Sequence, residues 1–365
     1  MASLGGCSYT VRAWLVRDER APTLATPATG RLVPGRFLIF IGWLLTLGGI
    51  WVASGLFIPA GLQPLTPRLQ GLVTIFLGIF VEALPFLLAG VLASSAIHLF
   101  VSPDLVQRIS PRAPLPAALL GAMLGLAFPV CECGSIPTTR RLLAKGAPLP
   151  LGIAFVLAAP VVNPIVIVST WVAFAGDPLV VVGRVVLTVV IAVLVGLLVS
   201  WRAHHGEWLA PPDTQQHGHD HDHDTPQRGG RLRALLDHSV AELFEMGRYL
   251  VIGALIAATL QVVIPRELML ALGAGPLVGT LTLMALAFVL SICSTVDAFV
   301  ALAFVGTFPT GAVLAFLVFG PMIDIKALLM LTTTFSRRVV LQIALLVALC
   351  SAMAGMLITL ALGGT

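Results

Sequence analysis

The chain has 365 residues, of which 58% are hydrophobic and only 10% charged, with a mean hydropathy of +1.01. A water-soluble domain carries about 25% charged residues, so this composition excludes a soluble globular protein and points to repeated membrane crossings. The net charge of +4, mostly arginine, then reports topology across a bilayer rather than nucleic-acid binding.

In chain order, residues 1–36 read as a polar, Arg- and Pro-rich cytoplasmic tail with no signal-peptide core. Residues 37–69 hold an extra transmembrane helix (37–58) and a loop. A first unit, 70–201, has apolar segments at 70–100, 115–130, 135–146, 148–175 and 179–201. A polar loop, 202–234, separates it from a second unit, 235–365, with segments at 238–264, 276–292, 295–308, 309–334 and 339–362. A full span takes about 20 residues. The segments at 115–130, 135–146, 276–292 and 295–308 are short for that, and each pair meets at a polar break containing cysteine. Each pair reads either as two short spans or as a re-entrant hairpin, which is tolerated where protein or a cavity surrounds it.

Arginines orient the chain. Arg12, Arg17, Arg20, Arg31 and Arg36 place the N-terminus in the cytoplasm. The same side then holds Arg108, Arg112, Arg202, Arg337, Arg338 and the 202–234 loop. Arg140, Arg141 and Lys145 join them if 115–146 is a hairpin entering from that side, and they read as topology anchors. Arg68, Arg184 and Arg266 fall near the outer face.

The two units resemble each other. "FVEALPFLLAG" (Phe80–Gly90) aligns with "LFEMGRYLVIG" (Leu243–Gly253), matching Glu82 to Glu245 and Gly90 to Gly253. "LAFPVCEC" (Leu126–Cys133) aligns with "LAFVLSIC" (Leu286–Cys293), matching Cys133 to Cys293. "AFVLAAPVVNP" (Ala154–Pro164) aligns with "AFLVFGPMIDI" (Ala315–Ile325), matching Asn163 to Asp324. The charge-based topology runs 70–100 inward and 238–264 outward, so the repeat is inverted, a plan common among transporters. The expected fold is an all-α polytopic membrane protein, an inverted repeat of helical spans with two re-entrant or broken-helix hairpins.

The five cysteines, 7, 131, 133, 293 and 350, suggest no disulfide framework and read as free thiols. Cys131 and Cys133 diverge by about 200° on a regular helix but project to one side of an extended stretch, which Pro129, Gly134 and Pro137 favour. Two thiols facing one point suit a soft metal or metalloid, with Cys293 as a third ligand and Glu132 beside them. Glu82, Glu245 and Asp297 are candidates for a proton or ion pathway, because carboxylates at membrane depth are costly. Asn163 and Asp324 suit either ligation of a cation or bonding of unwound backbone. The run "HGHDHDHD" alternates His217, His219, His221 and His223 with Asp220, Asp222 and Asp224, a metal-collecting pattern for Cu or Zn.

The stretch "PVCECGSIPTTRRLLAKGAPLPLGIAFVLAAPVVNP" resembles the predicted-permease family that includes the ArsP-type organoarsenical exporters and the YraQ-like permeases. The Cys-x-Cys-Gly turn followed by Ala-Pro-x-x-Asn-Pro is its most specific feature, and the resemblance covers about 70–362. With its His-rich loop, the chain is most similar to the branch regarded as copper or zinc efflux permeases. The resemblance implies an inner-membrane exporter whose Cys131 and Cys133 face the substrate.

The expectation is a secondary exporter of a soft metal or metalloid, with a copper- or zinc-type cation ahead of a trivalent organoarsenical. It has no Walker-type nucleotide loop and no resident cofactor. Its partners would be the transported ion, the bilayer and further copies of itself, with no nucleic acid. The rival classes are a membrane thiol-redox protein and a metal-sensing subunit.

Overall fold

The computed structural model describes residues 66–100, 102–128, 130–202, 230–263 and 276–362. The 37–58 segment, Cys7, Pro129, Arg266 and the histidine-rich run lie outside these residues. Among the described residues there are helices and no strand, only an isolated bridge between Val305 and Phe308.

The first half comprises α1 (Thr66–Phe100), α2 (Pro103–Ile109), α3 (Pro114–Ala127), α4 (Glu132–Ala144), α5 (Leu149–Ala158), α6 (Pro164–Ala173) and α7 (Pro178–Arg202). The second comprises α8 (Gly230–Val263), α9 (Pro276–Leu290), α10 (Asp297–Ala301) with one 3-10 turn (Leu302–Phe304), α11 (Thr310–Met322), α12 (Ile325–Leu331) and α13 (Arg337–Ala361). Proline opens α2, α3, α6, α7 and α9, where its missing N–H has no helical acceptor to lose. These residues therefore cut a continuously apolar sequence into pieces.

Packing fixes the direction of each piece. α1 and α8 run antiparallel: Ser239 Oγ donates to Ser95 Oγ at one end (2.9 Å), and Gly71 faces Val262 at the other. α2 turns 113° against α3 and lies beside the α4–α5 turn, where Gln107 touches Gly146. Val106, Ala117, Ala147 and Leu151 form one apolar cluster there. The starts of α3 and α5 thus share a face, to which α4 must return. Segment α3–α4 is a re-entrant hairpin entering from the α2 face, as charge had suggested. Gly121 and Gly125 let α3 lie on the backbone of Leu151 and Ala159 in α5.

Beyond residues 159–163 the chain continues through α6 to the opposite face, and α7 returns. Arg184 near the start of α7 bonds Thr170 in α6, while Gly196 near its end faces Pro150 and Ala154 in α5. The second half repeats this upside down. Gly355 and Thr359 at the end of α13 pack on Gly311 at the start of α11, Gly355 touches Thr280 in α9, and Gly183 of α7 touches Leu314. α9 and α11 therefore both begin at the face opposite α2, and α9–α10 is re-entrant from that side.

Among the described residues, five helical segments are long and apolar enough to cross a membrane: α1, α7, α8, α11–α12 and α13. The bent pair α2–α3 passes the same test only if taken as one span, and α5 and α6 are shorter apolar helices. Only 28% of the spanning stretch of α13 is buried, against 83% for α11–α12. Leu341, Leu345, Leu349, Met353 and Leu357 form an exposed stripe along α13, the face a helix presents to lipid. The short pieces α4, α5, α11 and α12 fill the interior. The apolar segments read from sequence match these elements closely. The separate helix α2 was not foreseen, whereas the breaks inside 148–175 and 309–334 fall at Asn163 and Asp324, where unwound backbone was one of the two readings.

Candidate functional site

Both hairpins reverse at a short non-helical stretch, and in both the return leg opens on a buried carboxylate. In the first, Cys131 is extended (φ −78°, ψ −179°) and Glu132 begins α4. In the second, residues 291–296 form the break, Ser291 takes a left-handed φ of 47°, and Asp297 begins α10. The hydroxyls of Ser135, Thr138 and Thr139 donate to carbonyls of Glu132, Gly134 and Ser135, which lets so polar a helix be buried. Gly134 lies against Gly90 of α1, and a Cβ at Gly90 would overlap the Gly134 backbone.

The charge of Glu132, buried with its residue 5% exposed, is met from the other half. Lys326 Nζ, on α12, stands 3.3 Å from Glu132 Oε1 and 3.3 Å from Asp324 Oδ2. Asp324 Oδ1 accepts from the Ala327 N–H (2.6 Å) and caps α12. Asn163 does the same for α6 by accepting from the Ile165 N–H (3.0 Å). The matched pair Asn163 and Asp324 thus bonds unwound backbone in both halves, and Asp324 also carries a charge contact. Glu132 Oε2 is buried with no hydrogen-bond partner. Glu132 also lines a cavity of about 10 Å³ together with Ser135, Val156, Met322 and Ala327 among others, close to the space of one water molecule.

Asp297, the second carboxylate, is held by Arg184 of α7 at 2.6 Å. Arg184 also donates to Thr170 Oγ1 (2.8 Å) and the Ser294 carbonyl (3.4 Å). Ser169 Oγ of α6 donates to the Thr295 carbonyl (2.5 Å), fastening the same break.

The thiols of Cys131, Cys133 and Cys293 are free and buried. Cys293 Sγ accepts from Thr295 Oγ1 at 3.6 Å. Lys326 of the second half thus joins the tip of the first hairpin at Glu132, and all three thiols lie buried. Cys133 is already helical where an extended stretch was expected, because α4 starts one residue earlier. Among the described residues, no three His, Cys, Asp or Glu side chains gather closely enough to hold a metal ion. Cys350 lies apart, half-buried in α13.

Glu82 of α1 has its Oε1 buried without a hydrogen-bond partner. Its repeat mate Glu245 is instead bound to Arg140 (2.8 Å). Next to it Arg141 lies 3.7 Å from Glu242, which accepts from Ser94 Oγ at 3.0 Å. Arg140 and Arg141 are thus ion-paired side chains as well as positive charges near a membrane face, and Arg184 is buried in protein rather than marking the outer surface. Lys326, Arg184 and Glu242 carry the charge pairing and were not singled out from sequence. The available signal was that a basic side chain inside an apolar run is as costly as a carboxylate and needs a partner.

Comparison with known proteins agrees with this architecture. The profile of the predicted permease family ArsP_1 matches residues 68–360. The chain belongs to that family. Among its relatives, the permease is 44% identical over 267 residues to the UPF0718 protein YcgR of Bacillus subtilis, covering 73% of this chain and 90% of the relative. It is 37% identical over 272 residues to a putative two-component membrane permease complex subunit of Streptococcus mutans, covering 74% and 89%. No solved structure matches the permease.

Proposed function

We infer that this permease is a secondary exporter of a soft metal cation of the copper or zinc type, with Cys131, Cys133 and Cys293 as its thiol ligands. The observation that supports the reading is that the two hairpins carry three free, buried thiols, and that the first is joined to α12 through the Glu132–Lys326–Asp324 ion pair. Thiolates suit soft ions, and carboxylates nearby favour a charged ion over a neutral arsenical. The ligands are not gathered in this conformation, so on this reading the ion draws Cys131, Cys133 and Cys293 together as it binds. Thiols must deprotonate to bind metal, which ties ion binding to proton release. Glu82, with an unpartnered oxygen, suits a proton carrier better than Glu245, which Arg140 already holds.

The histidine-rich run, outside the described residues, serves in this reading as a cytoplasmic collector. The protein sits in the cell (inner) membrane with its N-terminus on the same side as that loop. The Streptococcus mutans relative is named as a subunit of a two-component complex, which favours a second membrane subunit as partner here.

The test is Zn²⁺ and Cu⁺ uptake into inside-out vesicles. Wild-type protein should load both, and C131S/C133S should lose loading at unchanged protein level, since serine nearly keeps the volume and removes the soft ligand. Unchanged loading by the double variant would remove the thiol site. Deleting residues 215–224 should weaken apparent affinity at low metal and spare the maximal rate, because a collector acts through local concentration.

A further inference from the structure

The short helix α2, set at 113° to α3, has three different sides. Val106 is buried with Ala117 and Leu151. Leu105 and Ile109, one turn apart, are 45% and 60% exposed. Asp104 and Arg108, also one turn apart, are exposed on the adjoining side. A helix that buries one side and shows an apolar and a charged side to its surroundings suits the boundary between headgroups and acyl chains. Its face of the molecule is also the basic one, with Arg202 ending α7 and Arg337 and Arg338 opening α13, as expected of the cytoplasmic leaflet.

An open groove of about 620 Å³ is lined by Asp104, Gln107, Arg108, Ser110 and Arg112. Among the described residues, Arg108 and Arg112 make no ion pair. The lining offers two guanidiniums, an amide and a hydroxyl against a single carboxylate. Such donors match the oxygens of a phosphate ester, and the net charge of the lining matches one negative charge.

An apolar track begins next to the groove. Three residues after Arg112, α3 starts an exposed stripe of Leu115, Leu119, Met123 and Leu126. The stripe runs about 16 Å at 1.5 Å per residue and ends where the hairpin turns. That length is about half of the roughly 30 Å hydrocarbon core, the depth of one leaflet. A free phosphate has no use for such a track, whereas a lipid has an acyl chain to lay along it.

We propose that the α2–α3 corner binds one anionic phospholipid, with its phosphate diester held by Arg108 and Arg112 and an acyl chain along the α3 stripe. Asp104 sets the charge of the groove to suit a monoanionic headgroup. A lipid bound there braces the corner at which the first hairpin enters, whichever ion the permease moves.

The experiment is native mass spectrometry of the full-length permease in detergent with phosphatidylglycerol, phosphatidylcholine or inorganic phosphate added. Wild type should hold one phosphatidylglycerol roughly fivefold more tightly than phosphatidylcholine, the gain expected for one net basic charge at a headgroup. R108Q/R112Q should lose that preference. D104N should increase it several-fold, a gain that misfolding cannot imitate. R337Q/R338Q removes the same charge from the same face without touching the groove, and should keep the preference. Equal retention of the two lipids by wild type, no gain in D104N, or equal losses in R108Q/R112Q and R337Q/R338Q overturns the proposal. Displacement of the bound lipid by inorganic phosphate would make the groove a site for the free ion and overturn it as well.

Discussion

The two hairpins share a backbone plan and differ in chemistry. Each enters from its own face, reverses at a non-helical stretch and starts its return leg on a buried carboxylate that a cation of the other half neutralises. Arg184 holds Asp297 at 2.6 Å while also donating to Thr170 and Ser294, so that hairpin is clamped to α6 and α7. Lys326 touches Glu132 and Asp324 at 3.3 Å each. A planar guanidinium with several fixed partners suits a permanent clamp. Pseudo-symmetry has therefore fixed the scaffold twice, while the charge pairing at the two tips differs.

The comparison breaks most sharply at the clamp. D297N leaves the Arg184 guanidinium buried without its counter-charge, which costs about 3–5 kcal/mol. Thermal unfolding in detergent should show this variant as the least stable, with R184M/D297N recovering much of the loss. E132Q should cost less, roughly 1–3 kcal/mol, because Lys326 keeps Asp324 as a partner. If E132Q destabilises as much as D297N, Lys326 is a clamp too and the contrast fails. The glycines of the long helices sharpen the picture next. G90A drives a methyl group into the Gly134 backbone, and G253A meets the Lys326 stem less severely. Overpacking of this kind costs about 1–3 kcal/mol, with G90A the larger in the same assay. R140M should have the smallest effect, under about 1 kcal/mol, because Arg140 and Glu245 are partly open, with side chains 28% and 26% exposed.

Much of this architecture was legible in the sequence, for a physical reason. A chain that must bury its backbone polar groups in lipid has few options, so segment length, arginine placement and the 160-residue echo between halves led to two inverted hairpins. Asn163 and Asp324 stood out as a matched pair because the two halves align there, and both cap a restarting helix. The pairing of charges was not legible. Nothing local in "MIDIKALL" says that Lys326 turns toward Glu132, 194 residues away, and "VVGRVV" gives no sign that Arg184 reaches Asp297. Those contacts come from tertiary packing of elements distant in the chain. Counting Arg184, Arg140 and Arg141 as topology markers alone overlooked that a buried charge needs a partner before it can serve any other purpose.

Thiol cross-linking tests the central claim, that hairpins from opposite faces meet at one thiol-lined centre, most directly. In full-length protein carrying Cys7→Ser and Cys350→Ser, a membrane-permeant bismaleimide reaching about one helix diameter, roughly 10 Å, should join Cys131 or Cys133 to Cys293 within a single chain. Mass spectrometry of the digest would identify the linked peptides. Abundant single labelling of these cysteines with no link between residues 131–133 and residue 293 would place the tips apart and contradict the account.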